Sequence, residues 1–160
     1  MVYCDRFFIS MKIEEEIKQN SFRNQHQKVG INLLFTYHWL INKHKDFFKP
    51  YGITNQQYNL LRILKGQYPK STSGANIKER MLDKNSDVSR LIDRLLLKKL
   101  VIKGQCLSDK RSADVCICKK GLDLLKEIDD KINSLDNIMD SLTSEEAKTL
   151  SDLLDKSRNR

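Results

Sequence analysis

Apolar residues recur at helical spacing along most of the chain. Over residues 25–49, Ile31, Leu34, His38 and Ile41 fall on one face, and Leu33, Tyr37, Leu40 and Phe47 on another. A helix that is apolar on two sides has to be covered on both. In so small a chain, the expected cover is a second subunit. Pro50-Tyr51-Gly52 ends this helix. Thr54, with Gln57 three residues on, reads as a capping box that opens a helix carrying Tyr58, Leu61 and Leu64. That helix stops near residues 66–69. A loop over 71–74, a short helix over 75–82, a tight turn at 83–85 and a further helix over 85–99 follow. In the last of these, Val88, Leu91, Ile92 and Leu95 stand at i, i+3, i+4 and i+7, so that side faces a core.

Beyond residue 100 the period shortens. Runs at 101–107 and 113–118 read as two short strands, with Ala113, Val115 and Ile117 alternating against Asp114, Cys116 and Cys118. Leu122, Leu125, Ile128, Ile132, Leu135 and Met139 then stripe what reads as one long helix. Thr143 and Glu146 form a second capping box, ahead of a last helix with Leu150, Leu153 and Leu154. Residues 1–20 carry little periodicity beyond an acidic helical stretch at 11–19, and Met11 is a second candidate start. The fold class expected is mainly α with a small β-hairpin. The expected organisation is an N-terminal extension (1–20), a dimerisation helix (21–50), a compact domain (51–120) and C-terminal dimerisation helices (121–160).

Composition narrows the function. No stretch approaches the roughly 18 apolar residues of a membrane span, and Phe7-Phe8-Ile9 is too short for the apolar core of a signal peptide. A cytoplasmic location and no membrane partner are therefore expected. Four cysteines in 160 residues do not make a disulfide framework. The net charge is +8, and residues 53–120 hold 15 Lys/Arg against 6 Asp/Glu, whereas residues 121–160 hold 6 against 10. A basic excess confined to one segment favours a polyanionic partner. There is no phosphate-cradling glycine loop and no Ser/His/Asp arrangement, so no catalytic residue and no enzyme is expected. His26, His38 and His44 lack metal-ligand spacing and have no accompanying Cys or carboxylate cluster, so neither a metal nor another cofactor is expected.

The residues with candidate chemistry lie on the helix over 85–99 and on the hairpin. Opposite the Val88/Leu91/Ile92/Leu95 stripe stand Ser86, Arg90 and Asp93, flanked by Asp87, Ser89 and Arg94. The major groove of B-DNA admits such a helix, and Arg can donate two hydrogen bonds to guanine. In a helix-turn-helix the N-terminal residues of the second helix read the bases. An ordinary surface helix would also be amphipathic; the hairpin favours the DNA-reading alternative, although a solvated turn would also be polar. Its turn, Asp109-Lys110-Arg111, is a basic tip able to reach a phosphate or a minor groove, with Asp109 placed to steady Arg111.

Taken together, three stretches resemble the MarR family of winged-helix regulators. They are Phe48-Lys49-Pro50-Tyr51-Gly52-Ile53-Thr54 with Gln57-Tyr58-Asn59-Leu60-Leu61; Val88-Ser89-Arg90-Leu91-Ile92-Asp93-Arg94-Leu95 running to Val101; and Asp109-Lys110-Arg111 with Val115-Cys116-Ile117-Cys118-Lys119-Lys120-Gly121. The resemblance covers roughly residues 25–157. It implies a winged helix-turn-helix at 51–120 and a homodimer clamped by the first and last two helices. It implies double-stranded DNA as partner, with Ser86, Ser89, Arg90 and Arg94 as recognition-helix contacts and Asp109 and Arg111 as the wing pair. Asp87 and Lys110 join them by position. The family's habit of binding small phenolic or lipophilic effectors implies a pocket near Tyr37, His38 and Trp39. Several residues depart from the family pattern. Lys99 stands where Gly is usual, so the helix end either adopts a left-handed residue at some cost or closes differently. Leu96 and Leu97 replace charged positions, and Asp83 and Asp87 add negative charge near the groove. Cys118 stands where the family has a capping Thr, and Cys106 and Cys116 lie on facing strands, which leaves a redox switch open beside the reading of inert thiols. The function expected is a sequence-specific DNA-binding transcriptional regulator, acting as a repressor. The alternatives are a winged-helix protein-interaction scaffold that does not read DNA, and a thiol-based redox-sensing regulator.

Overall fold

The computed structural model describes residues 12–105 and 113–159. The chain falls into two compact units, Met1–Ile41 and Asn42–Arg160. The first contains a single-turn helix, α1 (Ile13–Glu16), and most of α2 (Gln25–Phe48). Asn24 caps α2 by accepting from the Gln27 N–H at 2.9 Å. Glu14 pairs with Lys28 at 2.5 Å, and that cation holds the Glu14 carboxyl below its ordinary range. Within this unit the α2 side chains Val29, Leu33, Leu34 and Tyr37 are exposed.

The second unit holds the hydrophobic core. After a 3-10 turn at Lys49–Tyr51, Gly52 adopts φ +64°, a left-handed conformation that suits glycine. The Thr54/Gln57 capping box then opens α3 (Asn55–Lys65), with Gln57 N–H donating to the Thr54 hydroxyl at 3.2 Å and Thr54 N–H to Gln57 Oε1 at 3.1 Å. Leu60, Leu61 and Leu64 of α3 are almost completely buried, so this helix is the centre of the lobe. Ser73 caps α4 (Gly74–Arg80), and Asp87 caps α5 (Val88–Leu97). Strands β1 (Val101–Gln105) and β2 (Ala113–Ile117) pair antiparallel, Val101 opposite Ile117 and Ile102 opposite Cys116. Helices α6 (Lys119–Asp129) and α7 (Asn133–Asp136), a 3-10 turn (Asn137–Met139) and α8 (Ser144–Arg158) complete the order. Thr143 and Glu146 form the second capping box, and the bonds from the Thr143 N–H and hydroxyl hold the Glu146 carboxyl below its ordinary range.

Three expectations need correcting. The long helix over 122–139 is two helices with a break at 130–132, where Lys131 N–H donates to Ile128 and Ile132 N–H to Asp129, three residues back rather than four. Much of its stripe is covered by its own chain, with Leu125 and Ile128 fully buried in the core. The loop at 71–74 contributes a piece of sheet, since Thr72 and Val115 exchange both backbone hydrogen bonds at 3.0 and 2.9 Å. Finally, the helix expected over 85–99 begins at Val88.

Lys99 takes φ +59°, so the exit of α5 adopts the left-handed closure. A Cβ on Gly121 would stand 2.3 Å from the Leu100 carbonyl oxygen and 2.7 Å from Ile117 Cγ1. Only glycine lets the first turn of α6 lie this close to the root of the hairpin.

Candidate nucleic-acid interface

Helix α5 owes its placement to its apolar stripe. Val88, Leu91, Ile92 and Leu95 are all buried, and at 100° per residue this turns Ser89, Arg90, Asp93 and Arg94 outward, all four exposed. Among the described residues neither the Arg90 nor the Arg94 guanidinium has an ion-pair partner, which leaves their donors free for a ligand. Asp93 is held instead by Lys103 of β1 at 3.0 Å, a bridge from the outer face of α5 to the hairpin.

The turn before α5 is fixed from α3. Gln56 Nε2 donates to Asp83 Oδ2 at 2.9 Å and reaches Ser86 Oγ at 3.5 Å, while Leu82 N–H donates to Asn59 Oδ1 at 3.1 Å. Asp83 Oδ1 in turn accepts from Asn85 N–H at 2.9 Å. Ser86, expected on the exposed side, is only 5% exposed and precedes the helix, so it serves the turn and not the outer face. Asp87 is the N-cap, its Oδ1 accepting from Arg90 N–H at 3.0 Å, and the residue is exposed. Spacing alone did not single out Gln56 or Lys103. Gln56 lies 27 residues from Asp83, and such long-range polar pairs leave no periodic mark.

The exit of α5 is stitched to the start of α6. Lys120 Nζ donates to the Lys98 carbonyl at 3.1 Å, Cys118 Sγ to Lys99 at 3.0 Å, and Cys118 N–H to Leu100 at 3.2 Å. Lys98 is the C-cap of α5, and the other two carbonyls lie just beyond the helix, where no helical bond reaches them. Cys118 therefore occupies the N-cap position of α6 with its thiol turned to the preceding helix, and it makes no side-chain cap. Cys116 faces Ile102 across the ladder, and its thiol approaches the Pro69 carbonyl at 3.7 Å. Cys106 lies outside the described residues, as do Asp109, Lys110 and Arg111 of the hairpin turn.

Tyr37, His38 and Trp39 sit on α2 in the first unit, exposed, with the Tyr37 and His38 rings edge to face at 5.5 Å. A groove of about 670 Å³ in the second unit is lined instead by residues including Ile53, Leu97, Lys98, Lys120 and Leu124. Leu97 is 84% exposed. Among the described residues no helix is long and apolar enough to cross a membrane.

No protein-family model and no curated protein sequence matches the chain. Solved structures do. A MarR-like transcription regulator from Bacillus cereus superposes with TM-score 0.75 at 23% identity, over 84% of this chain and 99% of that one. A MarR transcription factor from Planctomyces limnophilus gives 0.66 at 26% identity, over 84% and 98%. A cysteine variant of MarR from Escherichia coli, complexed with operator DNA, gives 0.75 at 20% identity, over 87% and 99%. These neighbours are transcription regulators, not enzymes. The chain has the winged helix-turn-helix fold of the MarR-type transcription regulators.

Proposed function

We propose that this protein is a MarR-family transcription regulator that binds double-stranded DNA sequence-specifically as a homodimer and acts as a repressor. The observation that carries the reading is α5, whose buried stripe turns Ser89, Arg90 and Arg94 outward on a helix fixed from behind by α3. The basic excess over residues 53–120 supports it. So does the likeness to a MarR structure that holds operator DNA. Arg90, in the first turn of the helix, reads a guanine edge, and Arg94, toward its C-terminal half, contacts phosphate. Ser89 lies beside them, and Asp109, Lys110 and Arg111 of the wing reach a phosphate or the minor groove. The exposed apolar face of α2 joins two subunits, so the half-sites lie about one helical turn apart, roughly 34–36 Å. A small lipophilic effector near Tyr37, His38 and Trp39 releases the DNA.

The test is selection on random duplex DNA, followed by a binding matrix of wild type, Arg90→Ala and Arg94→Ala against every single-base change of the selected site. Arg90→Ala is expected to lose about 1–3 kcal/mol and to relax preference at one base pair per half-site. Arg94→Ala is expected to weaken binding evenly and leave preference intact. A wild type without sequence preference would remove this reading and put the protein-interaction scaffold in its place.

A further inference from the structure

We infer that Asp87 is a specificity-determining residue that selects cytosine within one base pair of the pair read by Arg90. The inference rests on the DNA-reading role proposed for α5. Asp87 stands at the tip of that helix, exposed, where a recognition helix meets base edges. Its Oδ1 is committed to the Arg90 N–H at 3.0 Å, which fixes the carboxylate's direction. Oδ2 has no hydrogen-bond partner among the described residues. The neighbouring hydroxyl does not compete, because Ser86 is buried.

The chemistry is one-sided. A carboxylate only accepts, and it is repelled by phosphates and by the acceptor atoms of guanine and thymine. In the major groove, cytosine offers its N4 amino group, whereas adenine sets N7, an acceptor, beside its N6 amino group. A lone acceptor oxygen therefore favours cytosine. Asp87, the N-cap, and Arg90 meet at the first turn of α5, the Asp87 carboxylate 3.0 Å from the Arg90 backbone nitrogen. They therefore address the same or the adjacent base pair, so an acceptor and a donor are presented together to a C and a G.

Two substitutions separate this role from capping, since Ser and Asn both cap helices about as well as Asp. Thermal melts of Asp87→Ser and Asp87→Asn should match wild type. In the binding matrix, wild type should prefer cytosine at one position by roughly 5- to 150-fold. Asp87→Ser should flatten that position and leave the others unchanged. Asp87→Asn, whose amide both donates and accepts, should shift it toward adenine. A Ser variant whose matrix overlies wild type within about twofold would show that Asp87 only caps. Discrimination lost equally at every position would show that it acts through the pose of the helix, and this too would overturn the inference. A wild type with no preference anywhere would instead remove the DNA-reading role itself.

Discussion

Helices α2 and α5 both carry the i, i+3, i+4 spacing of apolar residues, yet their stripes meet different fates. On α5, Val88, Leu91, Ile92 and Leu95 are between 0 and 6% exposed. On α2, Val29, Leu33, Leu34 and Tyr37 remain 46–63% exposed. The α5 stripe is closed by its own chain, with α3, α4 and β1 all packed against the helix. Among the described residues the α2 stripe meets no comparable cover within its unit, and exposed apolar residues of this kind support the subunit contact proposed for α2. Periodicity therefore marks both stripes as apolar and does not tell whether the chain itself covers them.

The comparison can be broken most directly at Leu95. Leu95→Ala should cost about 2–5 kcal/mol in urea unfolding, whereas Leu34→Ala in a dilute single protomer should cost less than about 0.5 kcal/mol. Equal losses would mean that the two stripes are the same kind of core. A second change sharpens the proposed role of α2. The pair Leu33→Asp and Leu34→Asp should weaken self-association tenfold or more, about 1.4 kcal/mol, in sedimentation, with helicity retained. Undiminished association would remove α2 from the subunit contact. Thr54→Ala, which opens the box at the start of α3, should cost about 1 kcal/mol without altering self-association. The smallest effect concerns Glu146. Its carboxyl is lowered by the Thr143 hydrogen bonds, so the contribution is present above the ordinary carboxylate range and fades as pH falls below about 4. Glu146→Gln should flatten that acid limb of α8 helicity in circular dichroism, and an unchanged limb would locate the acid sensitivity elsewhere.

Much of the fold was readable where local chemistry decides it. Both capping boxes and the alternation of β2 depend on residues within a few positions of one another. What escaped depends on distant partners. The start of α5 shifts to Val88 because the segment before it is tied to Gln56 of α3. The same tie places Ser86 in the turn, not on the reading face. The break after α6 adjoins Asp129, which binds both Arg62 at 2.7 Å and Lys65 at 2.9 Å on α3. An apolar stripe continues through that break, since Ile132 and Leu135 still pack on the core, and so the sequence reads as unbroken helix. Of the candidate contacts, Ser89, Arg90 and Arg94 were legible from the stripe opposite them.

The joint between α5 and α6 has a mechanical consequence. Three successive carbonyls at the exit of α5 are held by Cys118 and Lys120, and Gly121 leaves no side chain between α6 and the Leu100 oxygen. A rotation of α6 about its own axis would have to break these bonds or carry the end of α5 with it. The joint therefore ties the angle at which α5 is presented to the placement of the first turn of α6.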